Sequence, residues 1–316
     1  MVDFFMNAVV LPAGLLPPNK MRVQRFKVTR HNPRSMRALE EILTSLEALP
    51  LSGRVFTINN VEHRVDDLKL DQQTGFWFFN IVKKRSGHGP GKYAAVQPVQ
   101  GFSFAPGESF AEDTAALYDP ATRDMYIQYN HIGVRHTGIA TYFSKAAGAE
   151  PYYRILPKLE RDAERRLQTQ EVTRRVELGF DLTKMTSSDY QAGNSLTQMA
   201  QLASGCDADR IYITMTISAR DPRKRLDRRV KENLLGILTT AGLTKARVVG
   251  GDEPPVTVLQ KKRGGTKEIV GKGDFEPIDL LDGLVETEVN IMLGSDYRMP
   301  LGDRYRALEV ARNKLR

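Results

Sequence analysis

An α+β fold, with antiparallel sheets partly covered by helices, is what the sequence predicts. Three observations carry this. Short alternating apolar and polar runs recur, bounded by turn-forming pairs such as Asn59-Asn60 and Asp119-Pro120. Between them lie segments with apolar residues at helical spacing, such as Leu39, Ile42, Leu43 and Leu46. The chain has 316 residues, 41% of them hydrophobic, which is enough for a real core. At about 100–200 residues per domain, two domains are expected.

Residues 1–20 read as a loosely held extension, since the apolar stretch Ala8 to Leu16 is broken by Pro12 and Gly14. No basic residue precedes that stretch, so it makes a poor secretory signal, and Met21 offers an alternative start. A first domain over residues 21–148 begins with a strand at 22–29, followed by a helix carrying Met36 through Leu46 on one face. Residues 54–84 read as an antiparallel meander, turning at Asn59-Asn60 and at Gln72 to Gly75. Its last strand holds the run Phe76, Trp77, Phe78 and Phe79, of which at least two belong in a core. A Gly-rich loop, Ser86 to Gly91, leads to a hairpin of 113–118 with 124–129, and a helix from Thr137 to Ala147 ends at Gly148.

The second domain, 151–316, opens with the strand YYRILPKL and a charged helix near 159–167. Next come a strand at 171–180, a small-residue helix at 189–203, and a strand at 210–218. A helix then spans Pro222 to Thr240, and a hairpin at 256–271 turns at Gly264-Gly265, a pair suited to positive φ. Helices at 277–293 and 301–315 close the chain.

The 46 Lys+Arg against 38 Asp+Glu leave a net charge of +8, which favours anionic partners. No stretch reaches the roughly 20 apolar residues of a spanning helix. The single Cys206 can form neither an internal disulfide nor a Cys-based zinc site, reads as a small structural residue, and suits a reducing compartment. His131 and His136 lack a third ligand for a metal, and there is no GxSxG elbow.

The most informative segment is Arg220 to Lys231, RDPRKRLDRRVK, with seven basic residues and two acidic. Asp221 is a suitable N-cap and Pro222 suits the first helical position. Leu226, Val230, Leu234, Ile237 and Leu238 share one face, which predicts burial of that face. Arg223, Lys224, Arg225, Arg228 and Arg229 then crowd the helix N-terminus, where cations cost up to about 1 kcal/mol each. Phosphate oxygens would offset that cost by meeting the side chains and the free N–H groups together. Arg220 extends the cluster. Lys261, Lys262, Arg263 and Lys267 flank the Gly264-Gly265 turn as a second contact, and Lys83, Lys84, Arg85, His88 and Lys92 bracket the Gly-rich loop. A solvated charged face is the alternative for each. No helix-turn-helix or zinc finger is present, and along the chain the aromatics do not interleave with the basic residues as in an RNA-recognition sheet.

Two further readings come from other classes. A magnesium-dependent nuclease needs two or three acids and a Lys on adjoining strands, and Asp67-Leu68-Lys69 with Glu112-Asp113 could supply them. An interaction protein would instead dock its basic surface on an acidic partner or a membrane.

From about residue 107 the order of segments is distinctive. EDTAALYDPATRDMYIQYNHIGV (112–134) leads to a helix, and then to YYRILPKLERDAERRLQTQEVTRRVEL (152–178). Then come IYITMTISARDPRKRLDRRVKENLLGIL (211–238), a late strand pair and a basic helix from Arg304 to Arg316. This order resembles the phage-exclusion, antiphage family of RexA and KwaB over about two thirds of the chain. The resemblance implies dimers that bind double-stranded DNA with little sequence preference, in abortive infection with a separately encoded membrane protein. It assigns DNA contact to 220–231. The expectation is therefore a cytoplasmic, non-enzymatic, homodimeric protein that needs no cofactor or metal and grips duplex DNA by its phosphates.

Overall fold

Strand β1 (Asn19–Arg30) organises the first sheet because both its faces are buried, Met21 and Val23 on one and Phe26 and Val28 on the other. In the computed structural model the described residues are 19–30, 37–85, 89–130, 132–148, 152–169, 173–185, 203, 206, 208–216, 234–238, 240, 242–250, 257–262, 265–270 and 277–316. The chain is α+β, and every strand pairing among these residues is antiparallel.

The meander matches the sequence closely. β2 (Val55–Ile58), β3 (Val61–Leu70) and β4 (Trp77–Lys84) pair in order. Asn59 and Asn60 both adopt positive φ, 48° and 62°, the conformation a two-residue hairpin turn demands. After β4 the chain makes a small separate hairpin, β5 (Lys92–Ala94) with β6 (Gln97–Gln100), which no sequence pattern announces. β7 (Ala111–Asp119) and β8 (Asp124–Gln128) form the expected hairpin, whose turn Asp119 caps by accepting from the amides of Ala121 and Thr122.

Helices cover both faces of this sheet. On one side α1 (Leu39–Glu47) and α2 (His136–Ala146) pack Leu39, Ile42, Leu43, Ile139, Tyr142 and Phe143 against Phe26, Val65, Phe79 and Ile81. On the other, a C-terminal helix (Leu301–Lys314) packs Tyr305, Leu308 and Ala311 against Met21, Val23, Phe78, Leu117 and Tyr126. Trp77, Phe78 and Phe79 are all buried.

The segment 277–293, expected as a helix, is instead strand: β15 (Ile278–Asp279) and β16 (Glu286–Ile291). The physical reason is its period of two. Val289 and Ile291 face the core, while Glu286 and Glu288 pair with Arg22 and Lys20 across the strand. β16 and the C-terminal helix, expected within a 151–316 unit, lie in the first sheet and on its face. The order of that sheet is β16-β1-β8-β7-β4-β3-β2, with β9 (Tyr153–Pro157) also on β1.

β9 and β16 lie end to end along one edge of β1. Phe26 pairs with Pro157 and Gln24 with Glu286. Between them, opposite Arg25, the chain leaves at Lys158 and returns at Val285: the Lys158 amide donates to the Arg25 carbonyl and the Arg25 amide to that of Val285. The departing and returning strands pair with each other at Leu159 and Leu284. Everything between is therefore an insertion at one position of a strand.

The inserted segment builds a second sheet, β11-β10-β12-β15, from β10 (Thr173–Asp181), β11 (Arg210–Thr216) and β12 (Leu243–Gly250). β12 has no counterpart among the strands expected from sequence, since its inward Ala246 gives a weak apolar signal. One face is core: Val176, Leu178, Phe180, Ala246 and Val248 pack with Leu167 of α3 (Arg161–Thr169) and with Leu234 and Leu238. The C-terminal helix is α4. Cys206, read from the sequence as a small structural residue, is exposed and lies outside this core. Among the described residues no helix is long and apolar enough to cross a membrane.

Candidate nucleic-acid interface

The basic cluster Arg220, Arg223, Lys224, Arg225, Arg228 and Arg229 lies outside the described residues, as do Arg263 and His88. Just beyond the cluster, Leu234 and Leu238 are buried, as the helical spacing of the apolar face requires. Lys261, Lys262 and Lys267 lie on the second basic element, the hairpin of β13 (Thr257–Lys262) with β14 (Gly265–Val270). Its register pairs Lys262 with Gly265, so Gly265, expected in the turn, belongs to β14 instead.

Topology brings the origins of the two basic segments together. β11 and β12 flank β10 and are both antiparallel to it, so they run in the same direction. Arg175 of β10 is registered with Thr216 of β11 and Thr173 with Gly250 of β12. The strands leading to 217–233 and to the β13–β14 hairpin thus end at the same end of the sheet, about 10 Å apart at two strand spacings.

The outer face of this sheet is polar and carries one large ring. Arg175, Glu177 and Gly179 on β10 stand beside Thr216, Thr214 and Tyr212 on β11 and beside Val249, Arg247 and Lys245 on β12. Glu177 accepts from Arg175 at 2.7 Å and from Lys245 at 2.6 Å, and Arg247 binds Asp279 at 3.0 Å. The Lys245 hydrogen bond, with the nearby Arg175, holds the Glu177 carboxyl below its usual range. A Cβ built on Gly179 would lie 3.1 Å from two ring atoms of Tyr212 and 3.1 Å from the Lys245 Cβ. The missing side chain is what lets the ring lie across the strand. Tyr212 is nevertheless 64% exposed. Basic and aromatic residues interleave here after all, across strands rather than along the chain.

Of the acids weighed for a nuclease, Asp67 and Asp113 converge on the α4 face but are otherwise engaged, while Glu112, one position from Asp113 on β7, lies on the opposite face. Asp113 accepts from Arg304 at 2.6 Å, Arg298 at 2.8 Å and Asn80 at 3.2 Å. Asp67 accepts from the Tyr305 hydroxyl at 2.8 Å, and Glu112 pairs with Arg85 at 3.2 Å. Burial alone would raise the Asp113 carboxyl, yet Arg304, then Arg298 and Asn80, bring it below the ordinary range. Burial followed by Asp67 pushes the Tyr305 phenol up. Lys69, the third member of the D-x-K pattern, reaches over the Phe78 ring at 5.8 Å. Among the described residues no three His, Cys, Asp or Glu side chains gather as a cation would need. The cluster instead fastens α4 to the sheet.

The profile of DUF6731, a family of unknown function, matches residues 26–257. The chain belongs to DUF6731. The match runs from β1 of the first sheet to the start of β13, so it spans both sheets and includes the outer face around Tyr212. A comparison with curated proteins gives no match.

Proposed function

We propose that this protein binds double-stranded DNA without sequence preference, gripping phosphates from its inserted segment, as a dimer in the cytoplasm. The setting suggested by the resemblance to RexA and KwaB is defence against phage, with a separately encoded membrane protein as partner. The observation that carries the reading is topological. The strands that lead into the two Lys/Arg-rich segments end side by side at one end of the second sheet. The net charge does not supply it: residues 159–284 hold 21 Lys+Arg against 19 Asp+Glu, so binding must rest on local clusters.

Fluorescence anisotropy with a random 30-mer duplex at several salt concentrations tests this. Affinity should fall steeply with salt. Replacing Arg223, Lys224, Arg225, Arg228 and Arg229 by Ala should weaken all sequences alike and flatten the log–log salt slope by about one unit per lost phosphate contact. Duplex binding unchanged in that variant would remove the helix from the interface.

A further inference from the structure

We propose that the outer face of the second sheet binds an unpaired nucleic-acid strand, one base stacking on Tyr212 while neighbouring phosphates meet Arg175, Arg210, Lys245 and Arg247. This goes beyond duplex binding, which needs only phosphate contacts. In the strand RIYITMT, alternation sends Ile211 and Ile213 toward the core side and Tyr212 outward. Opposite Tyr212 the register places Gly179, and the space left by its absent side chain receives the ring.

A ring laid over a glycine also serves packing, as aromatic residues do for glycines in other sheets. Two features separate this ring from a purely covering one. It keeps 64% of its surface exposed. Its surroundings are cations from three strands, with Glu177 holding Arg175 and Lys245 in place and Asp279 holding Arg247. An exposed aromatic ring on a face whose cations are shared with only two acids, Glu177 and Asp279, fits a partner that presents π-faces on an anionic backbone. From Tyr212 to Thr216 the strand runs about 14 Å, enough for about two or three nucleotides on a four-stranded sheet of this kind. An acidic peptide would use the cations but leave the ring idle. The face is continuous with the sheet end where the two basic segments begin, so a strand lying on it would lead toward them.

The test uses the full-length protein with fluorescein-labelled dT15, rU15 and a blunt 30-mer duplex. Wild type should bind at least one unpaired strand, and the tighter of the two tells whether DNA or RNA is preferred. Tyr212→Ala should weaken that binding about tenfold or more, while Tyr212→Phe stays within about twofold. Both variants should bind blunt duplex as wild type does and keep a cooperative thermal transition, since the side chain is largely exposed. Irradiating a 5-iodouracil-substituted strand on the protein should place the cross-link on the peptide containing Tyr212. The proposal is overturned if wild type binds neither unpaired strand, if Tyr212→Ala binds as tightly as wild type, or if cross-links map only to 220–231 and the hairpin. Each of those results leaves duplex binding standing. Loss of duplex binding alone, with Tyr212-dependent binding of the unpaired strand intact, would remove the phosphate-grip reading and keep this one.

Discussion

Arg312 and Asp119 form a buried pair whose side chains are 6% and 3% exposed, joined at 2.6 Å. Arg312 also covers the Phe76 ring at 4.0 Å, so it closes the α4 face as both an ion and an aromatic lid. Removing one partner strands a buried charge. Arg312→Ala is expected to cost about 3–5 kcal/mol, read as a lower urea midpoint, and Asp119→Asn combined with Arg312→Met should recover part of it. The acid side of stability has two sources. Burial, then the charge of Arg135, pulls His136 down to about 3, so this ring is neutral when folded and takes up a proton only on unfolding. Between that value and about 6.5 the unfolded state binds more protons, so stability falls as pH drops through this window. His136→Phe, which can still stack on Phe26, should flatten the pH dependence of the melting temperature between about pH 6.5 and 4. Asp113 and Asp119 are held low in the fold; their contribution is complete above about pH 3.9 and disappears as pH falls below it. At this scale the sequence showed Asp67 and Asp113 as acids able to converge, but not that Arg298, Arg304 and Tyr305 would claim them. It showed Tyr212 alternating, but not its neighbours, which come from strands about thirty positions away on either side.

Elements with strong local signals were legible: the meander with its paired asparagines, α1 and α2 with their apolar faces, and the β13–β14 hairpin. Those that failed were set by non-local pairing. Residues 286–291 alternate, but the Glu pair suits a helix face equally well until Arg22 and Lys20 of β1 stand opposite. β12 is a strand because β10 needs a partner on that side, not because LTKARVVG announces one. The role of α4 was equally hidden, since a basic amphipathic helix looks the same whichever sheet it covers. Its removal should be severe. A chain ending at Pro300 would expose Met21, Val23, Phe78, Leu117 and Tyr126 together. The expected result is strong dye binding by the exposed apolar face and loss of the cooperative thermal transition, measured by ANS fluorescence and circular dichroism.

The molecule as a whole is one sheet interrupted at one residue position. Because Pro157 pairs with Phe26 and Glu286 with Gln24, only Arg25 lies opposite the interruption. Joining Lys158 directly to Glu286 should therefore make β9 and β16 a single strand along the whole of β1. Such a chain, lacking 159–285, is expected to fold with one thermal transition and intact burial of Trp77, checked by its fluorescence maximum. A red-shifted maximum would mean that the inserted segment is needed to hold the first sheet together. The same chain separates the proposed binding surfaces from the first sheet, since it lacks the second sheet and both basic segments and should bind neither duplex nor single strand.

The interruption also sets an order in time. β1 leaves the ribosome early, but its edge partner β16 and the covering helix α4 are synthesised only after the whole of 159–284. At about 5–20 residues per second, the interval from Arg30 to Glu286 lasts about 13 to 50 seconds. Throughout it, Met21, Val23 and Phe78 have no helix to cover them. The inserted segment is contiguous and waits for nothing downstream. During synthesis, then, the part that carries the proposed binding surfaces completes first, and the larger sheet that bears it closes last.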